Sequence, residues 1–134
     1  MEEKNLSSGT AIGIDLGTTN SVMGLYTGEV KIIQCREGDN TMPSVVMWDE
    51  KNNEYLIGRP ALNKAGQDYS QAVFSVKRLM GNPLTDENVQ MMIKEKRFAY
   101  KIGRHSKGTA ETVGITLGKD EFLPEEISAK ILCK

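Results

Sequence analysis

The chain has 134 residues, the length of a single domain, and its 39% hydrophobic and 26% charged residues describe a globular chain and exclude a disordered or fibrous one. A chain of this size buries roughly two thirds of its unfolded surface, enough for a real core. With 17 Lys+Arg against 18 Asp+Glu the net charge is −1, so no global field points toward nucleic acid or a membrane, and neither partner is expected.

Residues 1–9 are polar and acidic with no apolar h-region, so they read as a disordered tail and not as a signal peptide. No run approaches the length of a membrane span. Cys35 and Cys133 lie far apart, and with the single His105 they make no zinc pattern. Two free, mostly buried thiols fit a reducing compartment, which makes a cytoplasmic location the expectation.

The first elements are strands at residues 11–16 and 21–27, joined by the turn Gly17-Thr18-Thr19-Asn20. In this turn Gly17 allows a sharp bend and a close approach. Successive N–H groups of Gly17, Thr18 and Thr19 can form a nest for an anion, to which the two hydroxyls add donors. Asp15, at the end of the first strand, repels a bare phosphate but suits one that carries Mg²⁺, reached through water. Taken alone, the same residues also describe an ordinary hairpin, since Asp and Gly favour turns. A third strand at residues 29–36 completes an antiparallel meander. Both faces of this sheet carry apolar residues, Ile12 and Ile14 on one, so cover is expected on both sides.

Pro43 forces Met42 into an extended conformation, and strands follow at residues 44–48 and 54–57. Pro60 opens a helix that Gly66 closes. Residues 70–80 read as a second helix, with Val73, Val76, Lys77 and Met80 on one face. Lys77 is the charged member of that stripe, either snorkelling at the core edge or aimed into a cleft. Thr85 or Asp86 caps a third helix through Lys96, with Val89, Met92 and Ile93 facing the core. Residues 98–102 form a short strand, 103–108 a basic, flexible, solvated turn in which His105 has no assigned role, 111–117 a strand and 118–121 a turn. Pro124 begins a last helix, with Glu125 and Glu126 at its positive end. No cap follows its last turn, so it reads as interrupted.

Several of these segments share one resemblance. Ile14-Asp15-Leu16-Gly17-Thr18-Thr19-Asn20-Ser21 resembles the first phosphate motif of the 70-kDa heat-shock (DnaK-type) chaperones. Asn40-Thr41-Met42-Pro43-Ser44-Val45-Val46 resembles that family's Thr-Pro-Ser strand opening, with Met42 in place of the usual threonine. Gly58-Arg59-Pro60-Ala61, the segment from Val73 to Gly81 and the segment from Pro124 to Leu132 resemble three further family segments, in the family's order. The similarity runs from about Ala11 to the end and is loose over residues 82–110. Other actin-like ATPases and sugar kinases share the Asp-x-Gly turn but not this set.

The resemblance implies an α/β fold, the N-terminal part of the actin-like ATPase (ribonuclease H-like) domain. Residues 10–36 would be the first sheet of the lower subdomain of lobe I, 37–121 the small upper subdomain of that lobe, and 122–134 the start of a lower-subdomain helix. The implied cofactors are ATP or ADP and Mg²⁺. Asp15 would hold the metal through its water shell. Gly17, Thr18, Thr19 and Asn20 would cradle the phosphates, and Lys77 would reach the γ-phosphate, which makes Asp15 and Lys77 the catalytic candidates. The implied partners, through the full-length protein, are unfolded polypeptides, J-domain co-chaperones and nucleotide exchange factors. In the family the second phosphate loop and the adenosine pocket lie downstream of residue 134, so this chain would carry one wall of a two-walled cleft, with little or no turnover alone. The alternative is a non-catalytic interaction module that self-associates through apolar sheet surface.

Overall fold

The computed structural model describes residues 10–134, so the tail expected at residues 1–9 lies outside the described residues. Alternating apolar residues and a glycine-bearing turn pair β1 (Ala11–Leu16) with β2 (Asn20–Tyr26), which in turn pairs with β3 (Val30–Ile33). This is the expected meander, with Ile14 opposite Met23 and Met23 opposite Ile33. β4 (Met42–Pro43) then pairs with the start of β2, placing Pro43 opposite Asn20 and Met42 opposite Ser21.

β5 (Val46–Asp49) is buried throughout and lies between β6 (Glu54–Ile57) and β7 (Ala72–Val73) in a second sheet. Its alternation feeds two cores. Val46 and Trp48 join the main one, while Met47, with Val45, packs on Ala61 and Ala65 of α1 (Arg59–Ala65). A third sheet has the order β10-β9-β8, formed by β8 (Lys101–Arg104), β9 (Val113–Leu117) and β10 (Asp120–Phe122). Asp86 caps α2 (Glu87–Lys94) by accepting from the N–H groups of Asn88 and Val89. Fully buried Leu79, Val89, Ile115, Leu117 and Ile127 knit these layers to α3 (Pro124–Leu132). At the start of α3 the Leu123 N–H donates to Glu126 Oε2 at 2.7 Å. Lys130 lies 4.3 Å above the Tyr55 ring, and Lys134 Nζ donates to Glu37 Oε1 at 2.7 Å, which holds the Glu37 carboxyl below its ordinary range.

The helix expected over residues 70–80 does not form. The segment is a 3₁₀ turn (Tyr69–Gln71), then β7, then a second 3₁₀ turn (Val76–Arg78). Val73 is buried because it pairs with Val46 across the sheet, not because it lies on a helical stripe. Ser75 adopts φ 55° and ψ 30°, a left-handed conformation that a helix cannot pass through. Lys77 is accordingly exposed and belongs to no apolar stripe.

Other differences are smaller. α2 ends two residues before Lys96, which sits at φ 52°. The strand expected at 98–102 is displaced to β8, because pairing with β9 sets its register, Ile102 opposite Ile115. The turn expected at 118–121 is tighter, and β10 begins at Asp120. Cys35 is half-buried and Cys133 exposed, which corrects the expectation of mostly buried thiols.

The first sheet is not covered on both faces by described residues. Ile12 is 60% exposed, Ile14 54% and Val30 74%. At the Ile14–Met23–Ile33 end α3 approaches it, leaving an apolar cleft of about 180 Å³ against Ile131 and Leu132.

Candidate functional site

The β1–β2 hairpin ends in a turn that only glycine can close. A Cβ at Gly17 would run into the carbonyl oxygen of Asn20 and lie 3.2 Å from its carbon. Among the described residues, the N–H groups of Gly17, Thr18 and Thr19 have no backbone acceptor. Successive free N–H groups at a turn are donors an anion can use. Thr18 is half-buried, whereas Thr19 and Asn20 are exposed.

The turn is tied to the chain that follows β4. The Ser44 N–H donates to the Thr19 carbonyl at 2.8 Å. The Ser44 and Ser21 hydroxyls lie 2.9 Å apart, both buried. Opposite stands the 74–78 segment. Tyr100 donates its phenol to the Phe74 carbonyl at 2.8 Å, and burial raises that phenol's pKa, which keeps it a neutral donor. Ser75 then turns left-handed and its carbonyl accepts from the Arg78 N–H at 3.0 Å, closing the 3₁₀ turn that carries Lys77.

Between these two walls lies a cleft of about 100 Å³. Thr18, Thr19, Ser44 and Ser75 give it polar atoms, and Val45, Leu62 and Phe74 line its apolar side. A whole small-molecule pocket holds roughly 300–1,000 Å³. This volume is that of a subsite for one polar group.

Thr18, Thr19 and Asn20 of the expected site line this cleft, and Gly17 shapes the turn beside it. Asp15 and Lys77 do not line it. Asp15 is exposed on β1 opposite Val22, and Lys77 is exposed on its 3₁₀ turn. Among the described residues neither side chain joins an ion pair. Both are therefore open to a ligand approaching from solvent. No cluster of three or more His, Cys, Asp or Glu side chains forms a metal site among the described residues. Asp15 supplies a single carboxylate, which fits an Mg²⁺ ion that keeps most of its waters.

Sequence reasoning missed Ser44, Leu62, Phe74 and Ser75 as cleft residues. Ser44 had a signal, since it follows the proline that ends β4. Ser75 had none, because it lay inside the expected helix.

The family model described as Hsp70 protein matches residues 11–134. That span takes in all three sheets, all three α-helices and both walls of the cleft. An actin-like ATPase fold and ATP-dependent chaperone activity are the general properties of that family. With the match covering all but the first ten residues, the chain belongs to the Hsp70 family.

Proposed function

We propose that residues 10–134 build one wall of an Mg²⁺–ATP site in lobe I of an Hsp70 ATPase domain. In this reading residues 10–36 are the first sheet of the lower subdomain, 37–121 the upper subdomain, and 122–134 the start of a helix returning to the lower one. The protein it serves uses ATP hydrolysis to control the binding and folding of unfolded polypeptides in the cytoplasm, in concert with J-domain co-chaperones and nucleotide exchange factors. The observation that carries the reading is the glycine-closed turn whose free N–H groups stand beside a cleft shared with the Lys77 segment.

Bound Mg²⁺ supplies charge neutralisation on the phosphates. The chain's own residues do the rest. Gly17, Thr18 and Thr19 present N–H and hydroxyl donors to the phosphate oxygens, and Asn20 adds an amide. Asp15 would hold the metal through its water shell. Lys77 presents a positive charge where negative charge concentrates during phosphoryl transfer.

The test is a titration of the ¹⁵N-labelled chain with MgATP and MgADP. Amides of residues 17–20 should shift, with affinity weaker than the low-micromolar range because one wall binds alone. Lys77→Ala should reduce any preference for ATP over ADP by about tenfold, the worth of one charge-assisted contact. Shifts confined to other regions, or none, refute the reading.

A second reading is favoured by β1, which among the described residues pairs only with β2, and whose Ile12 and Ile14 side chains are both more than half exposed. Unguarded strand edges pair with other chains. A second copy would add its own β1 in antiparallel register. A clean monomer in gel filtration at every concentration refutes this reading.

A further inference from the structure

The link between β4 and the proposed phosphate turn is short and buried. β4 pairs with β2 through Asn20↔Pro43 and Ser21↔Met42 alone. Asn20 and Pro43 face each other as a non-hydrogen-bonded pair, so the missing N–H of Pro43 costs this ladder nothing. The bond that flanks this pair comes from the Ser44 N–H, which donates to the Thr19 carbonyl inside the turn at 2.8 Å. The same residue's hydroxyl meets the Ser21 hydroxyl at 2.9 Å, with Ser44 3% and Ser21 6% exposed.

We infer that Ser44 is a positioning residue for the phosphate turn, resting on the nucleotide-site reading above. Its N–H fixes the peptide plane between Thr19 and Asn20, and its hydroxyl bond to Ser21 fixes Ser44. Together they hold Gly17, Thr18 and Thr19 with their N–H groups free. A turn that kept this freedom without the brace would have to order itself each time an anion arrived, at a cost in affinity. Ser44 borders the cleft, whereas Ser21 is not among the residues that line it. That asymmetry makes the role testable. A hydroxyl acting directly on the ligand matters only at residue 44; a brace matters equally at both ends.

The experiment titrates the full ¹⁵N-labelled chain with MgATP, well below its melting temperature, and follows the amides of residues 17–19. Removing the Ser44 hydroxyl strands a buried partner, so Ser44→Ala should weaken binding by about tenfold. Ser21→Ala should do the same, and the double variant should be no worse than either alone, because both remove one bond. Amide hydrogen exchange at Ser44, whose N–H donates to the Thr19 carbonyl, should quicken in all three. Binding within about twofold of the unmodified chain in both single variants, with only the melting temperature lowered, overturns the inference, since a merely structural bond behaves that way. Loss of binding in Ser44→Ala but not in Ser21→Ala also overturns it, in favour of direct contact. Should Ser44→Ala not fold, Ser21→Ala decides by the same twofold criterion. No response of the turn amides in the unmodified chain overturns the nucleotide-site reading, and this inference with it.

Discussion

Replacing Gly17 by alanine tests the turn most directly. The added methyl meets a backbone oxygen, that of Asn20, not the far end of a flexible side chain. Asn20 cannot easily retreat, because it pairs with Pro43 and its preceding carbonyl is held by Ser44. Overpacking of this kind costs about 1–3 kcal/mol, and a backbone obstacle places this substitution at the upper end, about 2–3 kcal/mol. For a domain of this size that lowers the melting temperature by roughly 8–12 °C. Thermal unfolding followed by circular dichroism reads the loss, and amide shifts locate it. The changed amides should cluster at residues 16–21 and 42–44, with the β9 and α3 amides unmoved. Gly13→Ala is the internal control. It lies on β1, the strand that leads into the turn, yet no described atom stands within 4 Å of the place its Cβ would take, so it should be close to neutral. A Gly17→Ala chain that melts within about 2 °C of the unmodified one, or that loses no more than Gly13→Ala, refutes the reasoning.

Two further predictions concern the elements behind the site. Gly118 sits at φ 63° with a Cβ position 2.6 Å from Trp48 Cδ2 and Cγ, so Gly118→Ala combines left-handed strain with displacement of the indole and should cost about 2–4 kcal/mol. Trp48 is the single tryptophan, so its fluorescence reports the displacement, and an unchanged spectrum with unchanged stability contradicts the account. The second concerns acid. Asp49 is buried, and its hydrogen bond from Lys64, followed by those from Asn52, holds its carboxyl below the ordinary range against the opposing effect of burial. A folded pKa below the unfolded value gives stability that is present above about pH 3.9 and is lost as the pH falls through the lower folded value. Asp49→Asn should therefore flatten the acid limb of the stability curve in that window, and an acid limb that superimposes on the unmodified chain's rules the pairing out as its cause.

What could be read from the sequence was what local chemistry decides. The β1–β2–β3 meander follows from alternation and turn residues. The starts of α1, α2 and α3 follow from Pro60, Asp86 and Pro124. The β1–β2 turn was legible as a turn because Asp and Gly favour one, while its reading as a phosphate site came from the resemblance and not from this local pattern. What failed was decided by distant partners. Val73, Val76 and Met80 have helical spacing, yet β7 exists because Ala72 and Val73 complete the edge of β5, some twenty-five residues earlier. The strand expected at 44–48 begins two residues later, as β5, because residues 46–49 pair within the second sheet, while residues 42–43, outside that expectation, form β4 on the first. The exposure of β1 was likewise invisible, since periodicity says which residues share a face and not what lies against it.

The division of strand 42–49 between two sheets also bears on how the site can respond to a ligand. The main core lies in the second and third sheets with α2 and α3, where Val46, Leu79, Ile115, Leu117 and Ile127 are fully buried. The β1–β2 turn is on the first sheet, where Ile12, Ile14 and Val30 are exposed. Below the cleft the turn is tied to the rest by β4 and by the two bonds of Ser44, while the 74–78 wall is tied to the core through Val73, Val76, Leu79 and the Tyr100 phenol. One wall is therefore anchored in the most stable part of the molecule and the other hangs on a short link. Regions with few buried contacts open at the lowest free energy. Ligand that bridges the two walls must order the turn more than the 74–78 segment, so protection from hydrogen exchange on adding MgATP should rise at residues 17–20 and 44 and stay nearly constant at 73–79. Equal protection at both walls would refute this account, because the core side would then move as much as the turn.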